Sequence, residues 1–268
     1  MIDLHSHILP ELDDGAQSLE ESLEMARIAE KNGIEKMVAT PHLFTENFIH
    51  EDLSIIKKKQ KELSQALREN NIYVEIFAGA EVHISHNLID EIRKDRENLV
   101  LNQSSYMFVE FPSDHVFSGV KNLFFELMSE GIKPIISHPE RNSVFSRSPS
   151  LLYELIQMGG LSQANSGSFT GKYGRRVEAA VLNFLELNLI HFIASDCHST
   201  RSSAPRLSEA VKKAEMIVGE EKARALVKDN PQAVLDDEEI PYLFEPINPK
   251  EKQKSFKMKI PDIFRQRR

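Results

Sequence analysis

An α/β fold of parallel strands is predicted by two features of the chain. Seven short apolar runs have β-type composition, and between them lie stretches whose apolar residues recur at i, i+3 and i+4. Repeated strand-helix units of this length imply right-handed crossovers, hence either an open doubly wound sheet or a barrel. With 268 residues, 41% hydrophobic and 28% charged, and no linker-like interruption, the sequence fits one large domain with a sizeable core.

The first strand is expected over 2–7. Ser18 and Glu21 form a Ser-x-x-Glu capping box that opens a helix over 19–31, and Gly33 stops it in a left-handed conformation. A second strand, 35–40, precedes a helix over 53–69 that is mostly solvated and carries Lys57, Lys58 and Lys59 on its polar surface. Strands follow at 74–79 and 107–111, then a helix over 120–129 ended by Gly131, and a strand at 133–137. Ser148 and Pro149 read as N-cap and first helical position of a helix with its apolar pattern at 151–158. The remaining elements are strands at 161–165 and 191–195 and helices over 177–187 and 207–218.

The polar residues fall on this frame in one place. His5 and His7 alternate on the first strand and so face one side, and Asp13-Asp14-Gly15 supplies a loop carboxylate to close over them. The next strands run into Thr40-Pro41-His42 and Gly79-Ala80-Glu81, and the fourth carries Glu110. The last three run into His138-Pro139-Glu140-Arg141, Asn165-Ser166-Gly167 and Asp196-Cys197-His198. One such residue is an ordinary strand-end polar group. Nine ligand-type residues at the same strand ends predict a polynuclear metal site, because in a parallel barrel those ends share one mouth. His50, His83, His86, His115 and His191 lie off the pattern and receive no metal role; His83 and His86, just after Glu81, are candidates for substrate contact.

Charge and cysteine content narrow the function classes. Residues 248–268 hold eight Lys/Arg against two acids, a balance of +6, which leaves −14 on the preceding 247 residues of a chain whose net charge is −8. A body that acidic argues against nucleic acid as the main partner. The basic tail is read as solvated, able at most to touch acidic surfaces. One cysteine, Cys197, excludes a disulfide framework and a cysteine-rich zinc site. Flanked by two inward-pointing ligands, it faces away from the site and is assigned no catalysis. No apolar stretch approaches the roughly 20 residues that span a bilayer. A cleaved leader would remove the metal residues that begin at position 5, so a cytoplasmic location is expected, with a domain over 1–247 and a tail over 248–268.

In this order, His-x-His, Asp-Asp-Gly, Ala-Thr-Pro-His, Gly-x-Glu, Val-Glu-Phe, Ser-His-Pro-Glu-Arg and Ala-Ser-Asp-x-His resemble the PHP (polymerase and histidinol phosphatase) superfamily. More narrowly, the chain is similar over about residues 1–236 to the bacterial tyrosine-protein phosphatases of capsule and exopolysaccharide loci, the CpsB/YwqE type. The resemblance implies a distorted seven-stranded (β/α) barrel holding three divalent ions. By the same resemblance His5, His7, Glu81 and Asp196 hold the first, and Glu81 bridges to a second completed by Glu110 and His138. Asp14, His42 and His198 hold the third. Carboxylate and imidazole donors without thiolate suit Mn, Fe, Mg or Zn alike; family precedent favours manganese.

The implied reaction is hydrolysis of phosphotyrosine on a bacterial tyrosine autokinase that controls polysaccharide export. A water made acidic by the ions attacks phosphorus, and Arg141 clamps the phosphate oxygens. For Arg141 the alternative is a surface salt bridge to Glu140. Relatives carry a second arginine where this chain has Ser203; Arg201 and Arg206 lie near that slot, and Arg206 is the favoured substitute. Two other functions compete: a small-molecule phosphomonoesterase such as histidinol phosphatase, and a non-catalytic PHP module stabilised by metal, whose signature would be missing ligands.

Overall fold

In a computed structural model of the chain, residues 1–45 and 52–251 are described. The expectations for His50 and for most of the basic tail lie outside them. Five of the seven expected strands are single elements: β1 (Ile2–Ser6), β6 (Tyr106–Glu110), β7 (Lys133–Ser137), β8 (Leu161–Asn165) and β9 (Phe192–Ala194). Each of the other two is broken. The second continues from β2 (Lys36–Ala39) into β3 (His42–Leu43), and the third from β4 (Glu75–Ala78) into β5 (Glu81–His83).

Local chemistry makes both breaks. Pro41 has no N–H to give a ladder. At Gly79 the backbone passes so close to its neighbours that a Cβ would lie 2.8 Å from Leu101 Cδ2 and 2.9 Å from Val38 Cγ1. As a result β1, β2 and β4 form one parallel sheet, and β3, β5, β6, β7, β8 and β9 form a second. The second sheet pairs His42 with Glu81 and His83 with Glu110, so these side chains share a mouth.

The free edges meet between β1 and β9. Ser6 bridges Cys197, the Asp196 N–H donates to His5 O at 2.9 Å, and the His7 N–H donates to Cys197 O at 2.9 Å. Lower down, Asp3 Oδ1 accepts the Ser195 N–H at 2.9 Å. The strands thus follow chain order around a distorted (β/α) barrel of seven positions.

Helices α1 (Leu19–Lys31) and α4 (Val120–Ser129) span the residues their patterns predict, and Gly33 and Gly131 stop them at φ of +82° and +73°. The capping box is displaced by one residue: Ser18 Oγ accepts the Glu21 N–H, but Glu21 Oε2 accepts from Gln17 instead of Ser18. The helices α2 (Ser54–Glu69), α6 (Pro149–Gln157), α8 (Arg175–Glu186) and α9 (Ser208–Val218) shift by one or two residues from their apolar patterns. The sequence pattern missed α3 (Leu88–Leu99), α5 (Ser143–Arg147), α7 (Ser166–Phe169), α10 (Glu220–Ala225) and α11 (Asp229–Leu235). Four of these are too short for a repeat to register. The fifth, α3, buries only Leu88, Ile89, Ile92 and Leu99 and kinks at Asp95.

Two apolar layers support the mouth. The larger packs helices against the outside of the strands. The smaller fills the barrel interior with Ile2, Leu4, Val38, Tyr106, Phe108, Ile135, Leu161 and Phe192, and Ala233, Val234 and Leu235 of α11 pack against it. Each large side chain there contributes roughly 1.5–3 kcal/mol by leaving water. The ring of Phe108 lies 4.8 Å from that of His5, where apolar filling gives way to polar groups. Among the described residues no helix is long and apolar enough to cross a membrane.

His191, at the entry to β9, is buried, and its Nδ1 accepts the Ser162 N–H at 3.1 Å. Burial depresses its pKa to about 4. The unfolded chain therefore binds this proton below the ordinary pKa of about 6.5 while the folded one resists it, and stability drains away between those values as pH falls. The loss should reach ~3 kcal/mol by pH 4. In chemical denaturation from pH 7 to 4, His191→Asn, which keeps an acceptor and removes the titration, should lose less stability than the wild type; parallel curves would refute this.

Candidate metal centre

At the mouth the imidazoles and carboxylates of the strand ends converge, and Glu81 lies at the middle. Its side chain is wholly buried. Oε2 stands 3.2 Å from His5 Nε2, 3.6 Å from His7 Nε2 and 3.0 Å from His42 Nδ1, and Oε1 stands 3.1 Å from His138 Nε2. Neither oxygen receives a hydrogen bond of acceptable geometry. Asp196 Oδ1 faces the same space, 3.6 Å from His5 Nε2, 3.4 Å from His7 Nε2 and 3.5 Å from His198 Nδ1. Glu110 reaches His42 at 3.5 Å and His138 at 3.9 Å. Asp14 Oδ1 lies 3.4 Å from His198 Nε2 and 3.6 Å from His42 Nε2.

All nine expected residues are thus brought together. Donor atoms of seven of them fall into three overlapping groups able to hold an ion: His5, His7 and Glu81; His42, Glu81 and Glu110; and His7, Asp14, His42 and His198, while His138 and Asp196 face these groups across Glu81 and His5. The overlap differs from the partition implied by resemblance. His42 turns one nitrogen toward Glu81 and Glu110 and the other toward Asp14, so it stands between two groups instead of within one.

Partners behind the cluster orient it. His7 Nδ1 donates to Asp13 Oδ2 at 2.6 Å, and His5 Nδ1 donates to Gln163 Oε1 at 3.0 Å. In the neutral ring, the form left once a metal displaces the Nε2 proton, each acceptor keeps the proton on Nδ1 and turns the Nε2 lone pair toward the cluster. The Gln163 amide donates in turn to Asn165 Oδ1, and the Asn165 amide donates to Asp196 Oδ2. Sequence reasoning missed Gln163 and gave Asp13 and Asn165, both in segments it named, no orienting role. Asp13 lay in the quoted Asp-Asp-Gly motif, and Gln163-x-Asn165 carried the same alternate spacing as His5-x-His7.

The protein also strains backbone to aim ligands: His138 and Asp196 sit at φ of +31° and +50°. Such conformations cost about 1–3 kcal/mol each and persist where surroundings over-determine them. Electrostatics follow from the crowding. Burial alone would pull His7 down, yet the Asp13 carboxylate lifts its pKa to about 10. His42, likewise opposed by burial, is lifted to about 11 by Glu110 and Glu81. Burial would raise the Glu81 and Asp196 carboxyls, but the surrounding imidazoles hold both well below the usual range. Convergent imidazole nitrogens, four carboxylates and a buried Glu81 with both oxygens unsatisfied are the donor set a cluster of divalent ions requires.

Arg141 closes one side of the mouth. Its Nη1 donates to Asp196 Oδ2 at 2.8 Å, and its guanidinium lies 4.7 Å from the centre of the Tyr173 ring. The alternative pairing with Glu140 does not form. Glu140 is buried beneath, where Oε1 accepts from the Asn165 N–H and the Ser168 hydroxyl. Arg206 and Arg201 are exposed and line a cavity of about 180 Å³ together with Lys172 and Ser166, outside the ring of donor atoms. Cys197 is buried, and burial first and nearby Asp3 second push its thiol well up. His83 Nδ1 comes within 3.5 Å of Glu110, and His86 lines a separate cavity with His115 and Phe117.

A family model described as capsular polysaccharide synthesis, CpsB/CapC, matches residues 1–236. The chain belongs to the CpsB/CapC family. Its sequence is 38% identical over 211 residues to tyrosine-protein phosphatase YwqE of Bacillus subtilis, covering 79% of this chain and 82% of that one. Tyrosine-protein phosphatase CpsB of Streptococcus pneumoniae is 30% identical over 249 residues, 89% of this chain and 99% of the relative. A solved structure from work on YwqE and CpsB, described as unique metal-dependent tyrosine phosphatases, superposes with a TM-score of 0.87 at 35% identity over 92% of this chain and 99% of the other. A histidinol phosphate phosphatase of Lactococcus lactis superposes at 0.53 with 15% identity over 83% of this chain and 94% of that one, which shows a shared fold.

Asp13→Asn should weaken manganese binding about 10- to 100-fold, because the His7 ring loses the carboxylate that fixes its tautomer and basicity. Competition titration against a metallochromic chelator reads this directly. Binding equal to wild type would remove Asp13 from the centre.

Proposed function

We propose that this protein is a metal-dependent protein-tyrosine phosphatase acting in capsular or exopolysaccharide synthesis. The observation that carries the reading is Glu81, wholly buried, unsatisfied at both oxygens and ringed by four imidazoles, with Arg141 at the rim. We assign His5, His7, Asp14, His42, Glu81, Glu110, His138, Asp196 and His198 as ligands of three divalent ions, with manganese favoured, in a catalytic domain over residues 1–247. When bound, the ions supply Lewis-acid stabilisation of phosphoryl oxygens and a water acidic enough to act as nucleophile near neutral pH.

The chain's own residues do the rest. With three dications held, the four carboxylates would leave the pocket net positive, able to admit a phosphate dianion to a protein whose body is acidic. Arg141 spends one N–H on Asp196 and keeps others for the equatorial oxygens of the transferring phosphoryl group. The buried Asp13, Gln163, Asn165 and Glu140 cost no reorganisation when charge develops, because their partners are already in place. A tyrosine phenolate, with a pKa of about 10, leaves with less acid assistance than an alkoxide. The favoured substrate is the phosphorylated tyrosine-rich segment of a bacterial tyrosine autokinase in the cytoplasm.

Assays with manganese on phosphotyrosine peptide, phosphoserine peptide and histidinol phosphate test the reading. Phosphotyrosine peptide should be preferred, Arg141→Ala should lower kcat/KM by about 10²- to 10³-fold, and His42→Ala should lower both turnover and bound metal. Preference for histidinol phosphate, or undiminished turnover in both variants, would overturn it.

A further inference from the structure

Beside the centre, residues 167–174 form a small strap that brings Tyr173 against Arg141. The Lys172 N–H returns to Gly167 O at 3.0 Å and the Gly174 N–H to Gly171 O at 2.9 Å. Gly171 and Gly174, at φ of +76° and +89°, turn the chain on either side of Lys172-Tyr173. A Cβ at Gly167 would meet Lys172 Cδ at 2.9 Å and Tyr173 Cε2 at 3.2 Å, so the absence of a side chain there lets both residues lie down across it.

The strap brings a second cation to the ring that Arg141 already touches. Lys172 Nζ lies 4.9 Å from the Tyr173 ring centre, against 4.7 Å for the Arg141 guanidinium. Its ammonium donates to Ser203 Oγ at 2.9 Å, and that hydroxyl donates to the Asp196 carbonyl oxygen at 3.2 Å. One of three ammonium donors is used, which leaves two. Among the described residues no carboxylate forms an ion pair with Lys172, while Arg141 is paired with Asp196. Burial lowers the Lys172 pKa, with Asp196 opposing that shift and Arg141 adding to it. Two like charges thus face one aromatic ring, and Asp196 is the carboxylate paired with one of them, so an incoming anion would complete the charge balance.

We propose that Lys172 is a catalytic residue, the second cation that binds the substrate phosphate, working with Arg141 across the Tyr173 ring. The proposal rests on the phosphatase reading and deepens it. It also gives the loop that follows β9 a role: Ser203 holds the lysine in place, where Lys172 lines one cavity together with Arg201 and Arg206.

Steady-state hydrolysis of phosphotyrosine peptide, and its inhibition by inorganic phosphate, are measured on the manganese-loaded full chain. Lys172→Ala should lower kcat/KM and raise the phosphate inhibition constant, each by about 10- to 100-fold, with metal content and melting temperature unchanged. Lys172→Arg, which restores the charge, should recover most of both. Ser203→Ala, which removes the tether but keeps the charge, should cost only a few-fold. Unchanged phosphate inhibition in Lys172→Ala overturns the proposal, as does a Ser203→Ala variant that loses as much as Lys172→Ala, because the lysine would then act only by holding the loop. Wild-type turnover on the peptide tests the phosphatase reading separately: a wild type showing neither turnover nor phosphate inhibition overturns both.

Discussion

A carboxylate taken out of water without a hydrogen bond to either oxygen costs several kcal/mol unless opposite charge is set against it. Glu81 is in that position, and most of the mouth is arranged around it. Four imidazoles face its two oxygens, and behind them Asp13 and Gln163 fix which ring nitrogen looks inward. Remove the carboxylate and the histidines become a crowd of buried like-charged rings; remove the histidines and Glu81 becomes an uncompensated buried anion. Divalent ions resolve both conditions at once, which links the stability of this end of the barrel to its chemistry.

The fold supplies this arrangement by departing from regularity where the site needs it. Breaking two strands at Pro41 and Gly79 starts β3 at His42 and β5 at Glu81, and the two pair in register. Left-handed backbone at His138 and Asp196 turns two more ligands inward. The apolar filling below, from Ile2 and Leu4 up to Phe108 and Phe192, gives these strained ends a rigid floor. Strain, broken ladders and a buried anion are tolerated together because roughly one layer deeper the interior is packed with apolar side chains.

Much of this was legible in the sequence. Period-two spacing placed His5 and His7 on one face, strand-end positions gathered six of the other ligands and the Asp13-Asp14-Gly15 loop the seventh, and the helical repeats located six helices within two residues. What escaped has physical causes. The strands read from sequence end at Thr40 and Gly79, and their resumptions as β3 and β5 are only two and three residues long, too short for an alternation to register. Short helices such as α7 and α10 have no room for a repeat. The orienting residues Asp13, Gln163 and Asn165 look like ordinary polar side chains until their partners are known, since each acts through a histidine or an aspartate far away in the chain. Lys172 escaped for the same reason: its position depends on two glycine turns and on Ser203, thirty-one residues on. The reading of Arg141 needed the structure to separate Asp196 from Glu140 as its partner.

The central claim is that the unsatisfied Glu81 carboxylate exists to share divalent ions with the histidines around it. Anomalous-difference density from crystals grown with manganese tests this most directly. The account predicts peaks at the mouth against Glu81, with His5, His7, His42 and His138 among the ligands. Density with no anomalous peak against Glu81, in protein that hydrolyses phosphotyrosine, would contradict it.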